Sequence, residues 1–143
     1  MTENIVDLWP EFTLTPEMQA PVAFLRQQAP ILARKTKNVV TAKVEAVDGG
    51  DDMIYSFVLV APALKGYSFR LFSMVHSKIA LYPVNLRSAL PDPEKKGFSL
   101  TWKAANESEL FDAMKEIFNH PKTIEAVNSI IAQSEGFQKK TAQ

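Results

Sequence analysis

The spacing of hydrophobic side chains changes along this chain, and each change marks a new element. Met18, Val22, Leu25, Ala29 and Leu32 advance by three or four residues, the interval that places side chains on one face of a helix. Ahead of them Thr15-Pro16-Glu17 supplies a capping hydroxyl, a first-turn proline and an acid facing the positive end of the helix dipole. A helix is therefore predicted up to about Lys35, with Pro21 as a second place for its main part to open. Pro30 lies inside the stripe, deprives the Arg26 carbonyl of its hydrogen bond and predicts a kink. Upstream, Trp9-Pro10 and Phe12 read as an extended lead-in whose rings dock on the core.

From Asn38 the period drops to two. Val40, Ala42, Val44 and Ala46 alternate with Thr41, Lys43 and Glu45, the pattern of a strand with one wet face. Asp48-Gly49-Gly50-Asp51-Asp52 suits a hairpin loop. Met53 to Ala61, Tyr67 to His76 and Ile79 to Arg87 follow as further strands, separated by turns at Pro62 to Gly66 and around Ser77-Lys78. Tyr55, Phe57 and Leu59 point one way in the first of these, and Ile54, Val58 and Val60 the other. The next strand repeats this with Tyr67, Phe69 and Leu71 against Phe72 and Met74. Apolar residues on both sides predict that both faces of the sheet are covered, by helices, chain ends or a second subunit. Pro83 predicts an edge strand or a bulge.

Ser88 to Gly97 is a stiff polar connector, and Phe98, Leu100 and Trp102 alternate as a short fifth strand. Asn106 with Glu109 resembles a capping box; Leu110, Phe111, Met114, Ile117 and Phe118 form the buried stripe of the helix it opens. Asn119-His120-Pro121 breaks that helix. A last one follows with Ile124, Val127, Ile130 and Ile131 inward, ending near Gly136. The predicted fold is α+β: an antiparallel meander of four or five strands, one N-terminal helix kinked at Pro30 and two C-terminal helices. It forms a single domain over residues 1–137, with a frayed tail at 138–143.

Composition narrows the functional classes. With 143 residues, 46% hydrophobic and 22% charged, the chain can bury a substantial core and is not of the disordered type. Cysteine is absent, which excludes disulfides, thiolate metal sites and cysteine nucleophiles. The apolar run from Phe57 to Leu64 is far short of the roughly 20 residues of a membrane helix. The acidic amino terminus lacks the charge order of a signal segment, so a cytoplasmic location is expected and a membrane partner is not. Sixteen basic residues balance sixteen acidic ones, which argues against bulk electrostatic capture of nucleic acid. The balance is nevertheless blocked: residues 18–43 and 65–90 together carry nine cations and no acid.

No zinc, Walker, dinucleotide or nucleophile-elbow spacing occurs, and no metal or cofactor is expected. His76, at the end of a strand and near Arg70 and Tyr82, supplies the one weak catalytic grouping, because its ordinary pKa lies near neutrality. Regular strand parity would put His76 and Arg70 on one face. Asp48, Asp51 and Asp52 do not make a complete calcium loop, lacking the longer ligand series, and read as a solvated hairpin. Lys65-Gly66-Tyr67-Ser68-Phe69-Arg70-Leu71-Phe72 resembles the RNP1 strand of RNA-recognition motifs, which implies aromatics displayed for base stacking. Arg70 departs from that pattern by taking an aliphatic position, and the helix and strand that should separate the two aromatic strands are missing.

These features favour a non-enzymatic protein-interaction module, of adaptor, inhibitor or immunity type, that binds an acidic or apolar partner surface. A homodimer through strand edges or a sheet face is compatible with this. The alternative is a nucleic-acid binder using Arg34, Lys35, Lys37, Lys65, Tyr67, Arg70 and Lys78 as its binding surface. A small-molecule enzyme around His76 is the third reading.

Overall fold

A computed structural model describes residues 5–14 and 19–141, with side chains as far as Gly136. The Thr15-Pro16-Glu17 cap and Met18 lie outside the described residues. Helix α1 (Pro21–Lys35) opens on Pro21, at the position where a missing N–H costs least, and continues through Pro30. Arg34 and Lys35 end it, where cations oppose the negative end of the dipole. The chain then reverses through Lys37 and Asn38, both left-handed at φ 51° and 66°. Thr36 Oγ1 fastens this reversal by accepting the Val40 N–H at 3.1 Å.

Five antiparallel strands follow in sequence order across the sheet: β1 (Thr41–Gly49), β2 (Asp52–Ala61), β3 (Tyr67–Ser77), β4 (Ala80–Pro91) and β5 (Ser99–Ala104). Helices α2 (Glu107–Phe118) and α3 (Pro121–Thr141) complete the α+β fold. Asn106 Oδ1 accepts the Glu109 N–H at 2.9 Å while Glu109 reaches back to the Ala105 N–H at 3.2 Å, a reciprocal cap that starts α2. α3 runs past Gly136 instead of stopping there; a glycine costs a helix about 0.5–1 kcal/mol against alanine, too little to end one already packed.

All three helices lie on the same side of the sheet. Leu25 of α1, Leu110, Met114 and Ile117 of α2 and Ile130 of α3 join Tyr55, Phe57, Leu59, Phe72, Met74, Val84 and Leu86 in one core. Phe57 stacks on Phe72 at 5.5 Å, and Phe118 closes over both at 5.4 and 5.9 Å. The chain's own helices cover only one of the two sheet faces expected to be covered: among the described residues no element of the chain lies over the second face. Val58 is only 5% exposed there all the same. Arg70 stands directly opposite it on β3, and the aliphatic stem of such a residue shields an apolar neighbour.

A bulge alters the parity of β3. Phe57 pairs with Phe72 and Val58 with Arg70, so Leu71 is an extra residue in the ladder. Leu71 and Phe72 both enter the core, and Tyr67, Phe69 and Met74 share their side. Arg70 is turned to the opposite face. The expected division of β3 into two apolar sides is thus corrected to one apolar and one polar side. Pro83 sits not on an edge but in interior strand β4, beside an irregularity in the β3–β4 ladder and after a cis Tyr82–Pro83 bond. The expected docking of Trp9 and Phe12 on the core is not found either, because both rings are exposed.

Candidate functional site

On the open face the outward positions of β3, β4 and β5 converge. Ser73 faces Arg87, Arg87 faces Thr101 and Asn85 faces Lys103 across the ladders. With Arg70, Ile54, Val75 and Ala89 these side chains line a concave groove of about 900 Å³. Its floor is small and hydroxyl-bearing, and its lining includes no carboxylate. Arg70, Arg87 and Lys103 are exposed and make no ion pair among the described residues. On the same face but at the far edge, Lys43 is held by Glu45 at 3.1 Å. The groove therefore combines uncompensated positive charge with hydrogen-bonding groups and a short apolar strip, a surface suited to carboxylates presented by another molecule.

No ring projects into it. Phe72 and Trp102 line the groove through their backbone side only: Phe72 stacks in the core, and the Trp102 indole N–H donates to Glu116 of α2.

A second depression lies on the helix side, between α1, α2 and α3, with a volume of about 420 Å³. Ile31 and Leu32, Phe111 and Met114, and Val127 form its walls, and Phe57, Leu59 and Leu71 its floor. Lys35 and Lys115 stand among its lining residues, again without a carboxylate.

The binding residues expected from sequence do not all meet in this groove. Arg34, Lys35 and Lys37 belong to the end of α1 and the turn after it, in the helix layer. Lys65 is a left-handed turn residue at φ 59°, and Tyr67 pairs with Ala61 on the helix side of the sheet. Lys78 Nζ donates to Asp48 at 2.7 Å, where the same carboxylate also accepts the Gly50 N–H at 2.9 Å. These contacts, with the lysine hydrogen bond foremost, hold the Asp48 carboxyl below the usual carboxylate range. Of the predicted set Arg70 alone lines the groove. Arg87 and Lys103 complete it. Their signal was the alternation of Asn85, Arg87 and Ala89 with Val84, Leu86 and Leu90, and of Thr101 and Lys103 with Leu100 and Trp102.

The grouping of His76, Arg70 and Tyr82 is not assembled, because the Leu71 bulge separates Arg70 from the face that His76 occupies. His76 is buried beside Tyr55 at 5.8 Å, with Nδ1 2.9 Å from the Ser77 carbonyl and Nε2 without a partner among the described residues. The Tyr82 hydroxyl is likewise unpartnered, and burial, followed by the negative charge of Glu107, pushes its pKa up. Asp48, Asp51 and Asp52 do not converge as a cation site: no group of three metal-ligating side chains occurs among the described residues. No protein-family model, curated protein or solved structure matches the chain.

Proposed function

We propose that the chain is a non-enzymatic binding module that docks an acidic protein partner on the open face of its sheet. The observation that carries this reading is the trio Arg70, Arg87 and Lys103, exposed and unneutralised around a groove without a carboxylate. Ser73, Asn85 and Thr101 add hydrogen-bonding groups, and Ile54 and Val75 a small apolar strip. An inhibitor or immunity-type role fits such a surface, since charge complementarity speeds association and rejects wrong partners. A nucleic acid is disfavoured as the partner, because single strands are held by aromatic platforms and this face has none. The cytoplasm is the proposed compartment; among the described residues no helix is long and apolar enough to cross a membrane.

The test is an NMR titration of the full chain with a short Asp/Glu peptide and, separately, with an oligothymidylate. Shifts are expected at residues 70, 73, 85, 87, 101 and 103 with the peptide, fading as salt is raised. The variant Arg70→Ser/Arg87→Ser/Lys103→Ser, altered only at exposed positions, should keep its fold and lose the response. An unchanged response in that variant would defeat the proposal, and a stronger response to the oligonucleotide would transfer the surface to nucleic acid.

A further inference from the structure

Residues 5–14 place six large hydrophobic side chains in solvent: Ile5, Val6, Leu8, Trp9, Phe12 and Leu14. Leu8 is 88% exposed, Trp9 76% and Phe12 67%. Exposed apolar clusters of this density mark a contact surface. The segment is also locally organised, with the Trp9 N–H donating to Asp7 Oδ1 at 3.0 Å and the Trp9 and Phe12 rings 6.1 Å apart. Leu8 and Phe12 have the i, i+4 spacing that puts two side chains on one face of a helical turn, with Trp9 beside them, and such a turn fills an apolar groove. Pro10 does not forbid this, because a turn capped by Asp7 would hold it within its first residues. The only charges in the segment are the carboxylates of Asp7 and Glu11.

The helix-side depression has the complementary chemistry: apolar walls, two lysines and no acid. Its volume lies in the range of about 300–1,000 Å³ typical of pockets that enclose ligands. Within one chain the arm's rings stay exposed, so the protein's own depression does not take them.

We propose that two copies of this chain exchange arms, Trp9 and Phe12 of each seating between α1, α2 and α3 of the other, with Asp7 and Glu11 meeting Lys35 and Lys115. An indole and a phenyl ring together hide roughly 300–500 Å². Two arms with the surface they cover then reach the ~1,200–2,000 Å² buried by a stable interface. The exchange uses the helix side of the sheet and stands independently of acidic docking on the open face.

Sedimentation equilibrium of the full chain, followed in parallel by the part of the tryptophan emission that Trp9→Ser removes, since Trp102 also emits, tests it. A concentration-dependent dimer is expected, with emission shifting to shorter wavelength as it forms. Trp9→Ser/Phe12→Ser should weaken it by at least about a hundredfold while leaving the circular dichroism unchanged, the scale of loss when two buried anchor residues are removed. Lys35→Glu/Lys115→Glu should weaken it, and adding Asp7→Lys/Glu11→Lys on the same chain should restore it. A monomer at all concentrations overturns the proposal, whether the arm is free or folded onto its own body. A dimer indifferent to these substitutions overturns it equally.

Discussion

Removing one residue from the centre of a strand ordinarily turns every later side chain to the wrong face. β3 has one position where this should not happen. Leu71 is the extra residue of the bulge, so its deletion leaves Phe72 opposite Phe57 and Arg70 opposite Val58 with no residue between them unpaired. The facing of the strand is preserved. What is lost is a leucine side chain 1% exposed, worth about 2–5 kcal/mol if truncated to alanine. A regular ladder returns about 0.5–1.5 kcal/mol through the hydrogen bonding that the bulge disrupts. The deletion should therefore be no more destabilising than Leu71→Ala, and by this reckoning slightly less. Urea unfolding of both variants, with midpoints and slopes compared, measures the difference. Deleting Ser56 from β2 is the control: it makes Tyr55 and Phe57 neighbours and forces one buried ring outward, a loss of at least about 3–5 kcal/mol. A Leu71 deletion that fails to fold, or that falls below Leu71→Ala by more than about 2 kcal/mol, would refute the assignment of the bulge.

Asn106→Ala should lower stability by about 1 kcal/mol in the same assay, by orphaning the Glu109 N–H at the start of α2. The Asp48 carboxyl is depressed in the folded chain, so its contribution is present above the ordinary carboxylate range and lost as pH falls through its folded value. Thermal melts from neutral to strongly acidic pH should accordingly show a shallower decline for Asp48→Asn than for the parent. Tyr82 has the opposite sign: its raised pKa favours the neutral phenol, and stability is lost as pH rises through the folded value. Tyr82→Phe should flatten the alkaline limb above about pH 10, and at neutral pH cost little, since the hydroxyl it removes has no partner.

The parts of the fold that depend on local chemistry were legible in the chain. Pro21, the glycine pair at Gly49-Gly50 and the Asn106/Glu109 box each act on the next few residues, and the elements they bound lie where the pattern placed them. What failed depends on pairing. Alternation cannot reveal an extra residue in a ladder, because Leu71 and Phe72 are both apolar and either could have been assigned to a second covered face. That single shift misplaced Arg70 relative to His76. The site suffered in a related way: nearness in sequence grouped Lys65, Arg70 and Lys78, whereas the groove draws one cation from each of three adjacent strands. The aromatic pair Trp9 and Phe12 was equally visible, but an extended lead-in was expected to dock it on the core because apolar residues usually find the core.

The one-sided placement of the helices has a consequence for how this protein can change. Ser73, Asn85, Arg87, Ala89, Thr101 and Lys103 sit on strands whose opposite faces supply the core, yet their own side chains carry none of the packing that holds the helices. Under the proposed acidic docking, stability and recognition are thus written on alternate residues of the same strands. A designed library can rewrite the exposed letters one by one while the scaffold stays as it is.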